Sequence, residues 1–125
     1  MSLYNEFVQD HYRHPRNLGR LKDATINVRT FRDDAMMEFY LRLTPASDII
    51  KAATFRAIGC AGTVAAASAM TEWLTGRRIS EAQSVTAQTV LDVLQGLPEE
   101  RLYCADFAAR AIQETLKRLP QRETS

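Results

Sequence analysis

The hydrophobic period of this chain changes from strand-like to helical at Gly59, and that change constrains what it can fold into. Before it lie three runs that read as strands: "ATINVRTF", where Ile26 and Val28 alternate with Asn27 and Arg29, then "MMEFYLRL" (36–43) and "DIIKAATFRAI" (48–58). β-Branched and aromatic side chains at a spacing of two suit a pleated, half-buried strand. Pro45, Ser47 and Asp48 in "TPASD" supply a turn, so the last two runs are expected to form an antiparallel hairpin. After Gly59 the pattern is helical. Residues 63–75 are rich in alanine, with Val64, Ala67, Met70, Trp73 and Leu74 along one side and Gly76 as the stop. Ser80 is expected to cap the next helix with Gln83 three residues on. A segment over 88–95 ends at Gly96-Leu97-Pro98, and a last helix spans 104–118 before Pro120.

A first helix over 2–13 is expected ahead of the strands. Ser2 would cap it, Leu3, Phe7 and Val8 would share one face, and Pro15 and Gly19 would end it. The order is helix, three strands, then helices, which is the mark of a segregated α+β domain: a small antiparallel three-stranded sheet packed against several helices. At 125 residues the chain has room for one such domain, 1–125, with about 120–125 a frayed polar tail.

Charge excludes some functions. The net charge is +1 and the arginines are scattered, so no basic stripe marks a nucleic-acid partner. No apolar run approaches the ~20 residues of a membrane helix. The opening "MSLYNEFVQDHYRHPRN" is acidic in places and lacks the apolar core of a signal peptide. Two cysteines do not make a disulfide framework, so a cytoplasmic chain with reduced thiols is expected.

Those cysteines, in "AIGCAGTVAAASAMTEW" and "RLYCADFAARAI", both stand where a helix begins. The positive end of a helix dipole favours thiolate, the form that acts as nucleophile and metal ligand. Gly59 and Gly62 would let the backbone approach a bound group closely. Two thiolates offered from two helix starts amount to half of a four-ligand sulfur site. The competing account is a pair of small buried hydrophobes.

Three motifs carry a resemblance. "DHYRHPRNLG" resembles the opening "DHY..PRN.G" of the IscU/NifU N-terminal family of iron–sulfur cluster scaffolds. "FRAIGCAGTVAAASAMTEWLTGRRISEA" is similar to that family's "F…GC..AIASSS..TE...GK...EA", and "LPEERLYCADFAARAI" to its "LPP.K.HCS.LA..AI". The match spans nearly the whole chain and keeps element order. The resemblance implies a scaffold or carrier, not a catalyst. It would take sulfur from a cysteine desulfurase, bind iron, build a [2Fe–2S] cluster and pass it to apo-protein recipients. It also implies that Cys60 and Cys104 are two of three cluster ligands, thiolates being the usual holders of such clusters.

The third family cysteine lies in a "P.CGD" motif, and here the corresponding stretch is "RTFRDDAMMEF". Counting back from the strand puts Asp33 at that place, and counting forward from "HPRNLG" puts Asp34 there. Tyr103 replaces the family's histidine, and the "LPP.K" chaperone-docking stretch becomes Leu97-Pro98-Glu99-Glu100-Arg101, which argues against docking of an Hsp70-type partner. Three readings stay open. The chain could hold a cluster through Cys60, Cys104 and Asp33 or Asp34, or share one between two copies as a homodimer. It could bind no cluster and serve as an interaction or regulatory surface for the assembly machinery. Or its residual ligands could hold zinc, which accepts Cys and Asp.

Other features have plainer accounts. His11 and His14 are three apart on the first helix, but no carboxylate or cysteine is paired with them, and a docking helix explains them better. Met36 and Met37 are expected as one core and one surface residue, Trp73 as core, and Arg77 and Arg78 as a solvated helix end.

Overall fold

A computed structural model describes residues 3–45 and 47–119. Its elements follow the expected order: α1 (Glu6–Arg13), β1 (Ile26–Arg32), β2 (Ala35–Leu43), β3 (Ile50–Ile58), α2 (Ala61–Leu74), α3 (Ile79–Ala82), α4 (Ala87–Leu94), a 3₁₀ turn (Glu99–Arg101) and α5 (Tyr103–Lys117). The polar tail from Pro120 and the Ser2 cap lie outside the described residues.

The three strands form one antiparallel sheet in the order β1-β2-β3, so β2 is central. Pleating sends Met37, Phe39 and Leu41 to one face. There they join Phe55 and the apolar sides of α2, α4 and α5 in a single core. On the opposite face the register aligns Phe31 with Met36 and Ile58, and Arg29 with Glu38 and Arg56. Met36 and Met37 are therefore both buried, contrary to the one-in, one-out expectation. Met36 is shaded because Phe31 and Ile58 flank it on the two outer strands. Glu38 is 2% exposed on that same face. It accepts hydrogen bonds from Tyr40 (2.8 Å), Asn27 (2.9 Å) and Arg29 Nε (3.4 Å), which offset the cost of burying its charge.

α2 is buried on nearly every side, not along one stripe. Its small residues Gly62, Ala65, Ala66, Ala67, Ser68 and Ala69 let the sheet, α1 and α5 all approach it, while Val64 and Trp73 are only half-buried. Arg77 is not simply solvated. Its guanidinium lies 4.1 Å from the Trp73 ring centre and its Nε donates to the Trp73 carbonyl at 2.7 Å.

Two caps differ from expectation. Asn5 caps α1, which begins at Glu6. Its Oδ1 accepts from Val8 N–H at 2.8 Å, while its Nδ2 donates to the carbonyls of Leu94, Gln95 and Gly96 at the end of α4. A tertiary tie therefore sets the helix start, and Leu3 is left outside it, 65% exposed. α3 starts at Ile79, so Ser80 lies inside it. Glu81 Oε1 closes its first turn by accepting from Arg78 N–H at 3.2 Å.

α1 lies on α2 through a buried histidine. Ser68 Oγ accepts from Arg16 N–H at 2.8 Å and lies 2.8 Å from His11 Nδ1, while His11 Nε2 is 3.5 Å from Glu72 Oε1. Burial, reinforced by the Arg16 charge, holds the imidazole below its ordinary pKa despite Glu72 and Asp10. Its neutral form thus favours folding, so this contribution is full above the ordinary value near 6.5 and falls as pH drops below it. Thermal melts from about pH 7 down to about pH 5 should show a decline that is shallower in His11→Gln; equal slopes would refute the assignment.

Candidate functional site

β3 runs straight into Gly59 and Cys60, and Cys60 is the N-cap of α2, with extended backbone at φ −73° and ψ 172°. Cys104 sits in the first turn of α5, fully buried. Packing of α2 against α5 brings Cys60 Sγ and Cys104 Sγ to 3.6 Å.

Around them lies a ring of hydroxyl donors. Thr63 Oγ1 is 3.5 Å from Cys60 Sγ and 3.8 Å from Cys104 Sγ. The phenol of Tyr103 is 3.8 Å from Cys60 Sγ and that of Tyr4 is 3.9 Å away. Two arginines back the phenols: Arg101 Nε donates to Tyr4 Oη at 3.2 Å, and the Arg32 guanidinium lies 4.2 Å from the Tyr103 ring centre. The 99–101 stretch, where the altered motif argues against chaperone docking, is a tight turn whose arginine is engaged with the site.

The two glycines make room for the protein itself. A Cβ on Gly62 would stand 3.0 Å from Cys104 Sγ and 3.3 Å from the Tyr4 ring, and one on Gly59 would meet Thr63 Oγ1 at 2.9 Å. Small residues here let Cys104, Tyr4 and Thr63 close in on Cys60.

The thiols are driven apart in acidity. Burial pushes Cys60 up, but hydrogen bonds from the Thr63 hydroxyl and N–H, the Tyr103 phenol and the Cys104 thiol outweigh it, bringing Cys60 to about 6. Burial and then the negative charge of Cys60 push Cys104 up to about 11. At neutral pH the pair therefore holds one proton, on the buried sulfur.

Asp33 and Asp34 are not brought to this pair. They form the two-residue turn between β1 and β2, Arg32 being paired with Ala35. Asp33 has a left-handed φ of 53° and its side chain is 84% exposed, 3.6 Å from Arg32. Both aspartates line a groove of about 390 Å³ with Phe31, Met36, Arg56 and Ile58. Among the described residues, no set of three His, Cys, Asp or Glu side chains is placed to hold a metal ion. His11 and His14 do not form a site either: one is buried against Ser68, and the other is the exposed C-cap of α1.

Sequence reasoning missed Thr63, Tyr4, Arg32 and Arg101 as neighbours of the thiols. Thr63, third residue after the N-cap, has a local signal, since the N3 position is one that an N-cap side chain ordinarily addresses. The others converge only in three dimensions.

A family model described as the NifU-like N-terminal domain matches residues 3–125. The chain belongs to the NifU-like N-terminal domain family. Relatives of this NifU-like chain include the iron–sulfur cluster assembly scaffold protein IscU of Aquifex aeolicus, 32% identical over 117 residues, which cover 91% of this chain and 74% of that protein. IscU of Haemophilus influenzae is 31% identical over 118 residues, covering 90% of this chain and 92% of its own. The NifU-like N-terminal protein from Brucella abortus has the same fold. It superposes with a TM-score of 0.76 at 11% identity, covering 94% of each chain. The three-stranded antiparallel sheet and its helices are thus the NifU-like fold.

Proposed function

We propose that this chain is an iron–sulfur cluster assembly scaffold that holds its cargo on the thiolates of Cys60 and Cys104. One observation carries this. Two thiolates on a tetrahedral metal, each at ~2.3 Å, stand about 3.8 Å apart. The two sulfurs here lie 3.6 Å apart before any metal is considered. The donor set fits an iron–sulfur cargo, because thiolate is its usual ligand.

The pair offers two of the four cysteine ligands that a [2Fe–2S] cluster takes. Asp33 and Asp34, turned to the sheet groove, are not counted toward the rest. A second copy of the chain would supply two more thiolates and make the set four. Sulfur would come from a cysteine desulfurase and the assembled cluster would pass to apo-protein recipients, which matches the scaffold role named for the relatives. Half-exposure of Cys60 leaves the cargo a way out.

Anaerobic reconstitution with ferrous iron and sulfide tests this reading. The intact protein should turn brown with near-equal iron and sulfide, and Cys60→Ala and Cys104→Ala should each lose the colour. One cluster per two chains would identify a shared site. A folded but colourless protein, or metal bound without sulfide as zinc would be, would overturn the reading.

A further inference from the structure

The two sulfurs are within reach of each other as well as of a metal. A disulfide bond is about 2.05 Å long, about 1.5 Å shorter than the 3.6 Å that separates the two sulfurs. Access is unequal. Cys60 is half-buried at the mouth of the site, whereas Cys104 is fully buried behind it, beside Gly62. A reagent from solution meets Cys60 first, and any group it leaves there faces Cys104. The chain has no third cysteine to intervene.

We propose that Cys60 and Cys104 are a persulfide-resolving pair: Cys60 takes a sulfur atom from a persulfide donor, and Cys104 expels it as sulfide. This deepens the scaffold reading, on which sulfur is delivered to this site. In the first step a donor R–S–SH gives its outer sulfur to Cys60, leaving R–SH and Cys60–S–SH. In the second, Cys104 Sγ attacks Cys60 Sγ, the inner sulfur of that persulfide. The bond to the outer sulfur breaks, and this atom leaves as hydrosulfide and takes up the proton Cys104 gives. The products are H₂S and a Cys60–Cys104 disulfide. The outer sulfur gains two electrons, one from each protein thiol, so release needs no other reductant. A dithiol reductant returns the pair to its starting state by ordinary exchange.

The geometry favours this outcome over simple transfer. Cys104 Sγ lies 3.6 Å from the sulfur that becomes the inner one, and attack there releases sulfide. Attack on the outer sulfur would only move the persulfide to the buried cysteine. Three hydroxyls, of Thr63, Tyr103 and Tyr4, stand within 3.9 Å of Cys60 Sγ to donate to a departing anion.

The test uses reduced, chelator-treated protein without iron, under anaerobic conditions, with glutathione persulfide as the donor. Released sulfide is measured together with peptide mapping by mass spectrometry, and the Cys60→Ser/Cys104→Ser double variant gives the background. The intact chain should release sulfide above that background in step with formation of the Cys60–Cys104 disulfide. Cys104→Ser should stop at the Cys60 persulfide. A stable Cys60 persulfide in the intact chain, or a persulfide found on Cys104, would overturn the proposal, and neither result depends on a variant folding. Reconstitution with iron and inorganic sulfide bypasses this step. A protein that reconstitutes yet keeps its persulfide refutes the pair alone, and one that forms the disulfide yet never holds a cluster refutes the scaffold reading alone.

Discussion

At neutral pH, iodoacetamide is expected to label Cys60 at least about a hundredfold faster than Cys104. The thiolate is the reacting form, and the two pKa values, about 6 and about 11, set its share on each sulfur. At pH 7 that difference alone is about ten-thousandfold, of which about a hundredfold is returned because a less basic thiolate is the weaker nucleophile. Burial of Cys104 adds to what remains. The rate at Cys60 should rise with pH through an inflection near 6 and then level off, since Cys60 loses its proton there. Thr63→Val removes a hydroxyl that stabilises the thiolate while nearly keeping its volume, so the inflection should move up. Rates followed by mass spectrometry across pH decide the matter. Equal labelling of the two thiols, or a Cys60 inflection near the ordinary value, would show that the hydroxyl ring does not act as described.

Phe55→Ala should cost about 3–5 kcal/mol. Phe55 is fully buried on β3 in the core shared with α2. Its backbone also holds the segment before β1: its N–H donates to the Asn17 carbonyl at 3.0 Å and its carbonyl accepts from Gly19 N–H at 2.8 Å. Truncation leaves a cavity beneath the strand that leads to Cys60. Ile58→Ala, on the same strand but 62% exposed, should change stability by less than about 0.5 kcal/mol. Denaturant titration of both variants separates them, and similar midpoints would mean that the core does not rest on this face of β3.

The contrast between these two residues also shows what the sequence could convey. The strands were legible from their alternation, the β2–β3 hairpin from its turn residues, and the helix stops from Gly76 and Gly96, whose left-handed backbone the structure bears out. Each of these signals is local. The burial of Met36 depends on neighbours across two strands, and the cap at Asn5 on the distant end of α4, so neither could be read from a window of residues. The site divides in the same way. Cys60 and Cys104 at helix starts were visible, and Thr63 stood within one turn. Tyr4 is separated by 97 positions from the Arg101 that holds it. Position along a motif points to Asp33 or Asp34, whereas the turn they occupy lines a groove on the sheet with Phe31, Met36, Arg56 and Ile58.

Cys60 and Cys104 are separated by 44 positions and meet only because α2 lies on α5. In an open chain, closing a loop of that length carries an entropic penalty, and the two sulfurs rarely meet. Whatever bridges them, metal or sulfur, therefore acts as a cross-link between the two helices. On the proposed function, a loaded carrier would be stiffer than an empty one, and a recipient that removes the cargo would also release that restraint, so delivery would leave behind a looser molecule than the one that arrived.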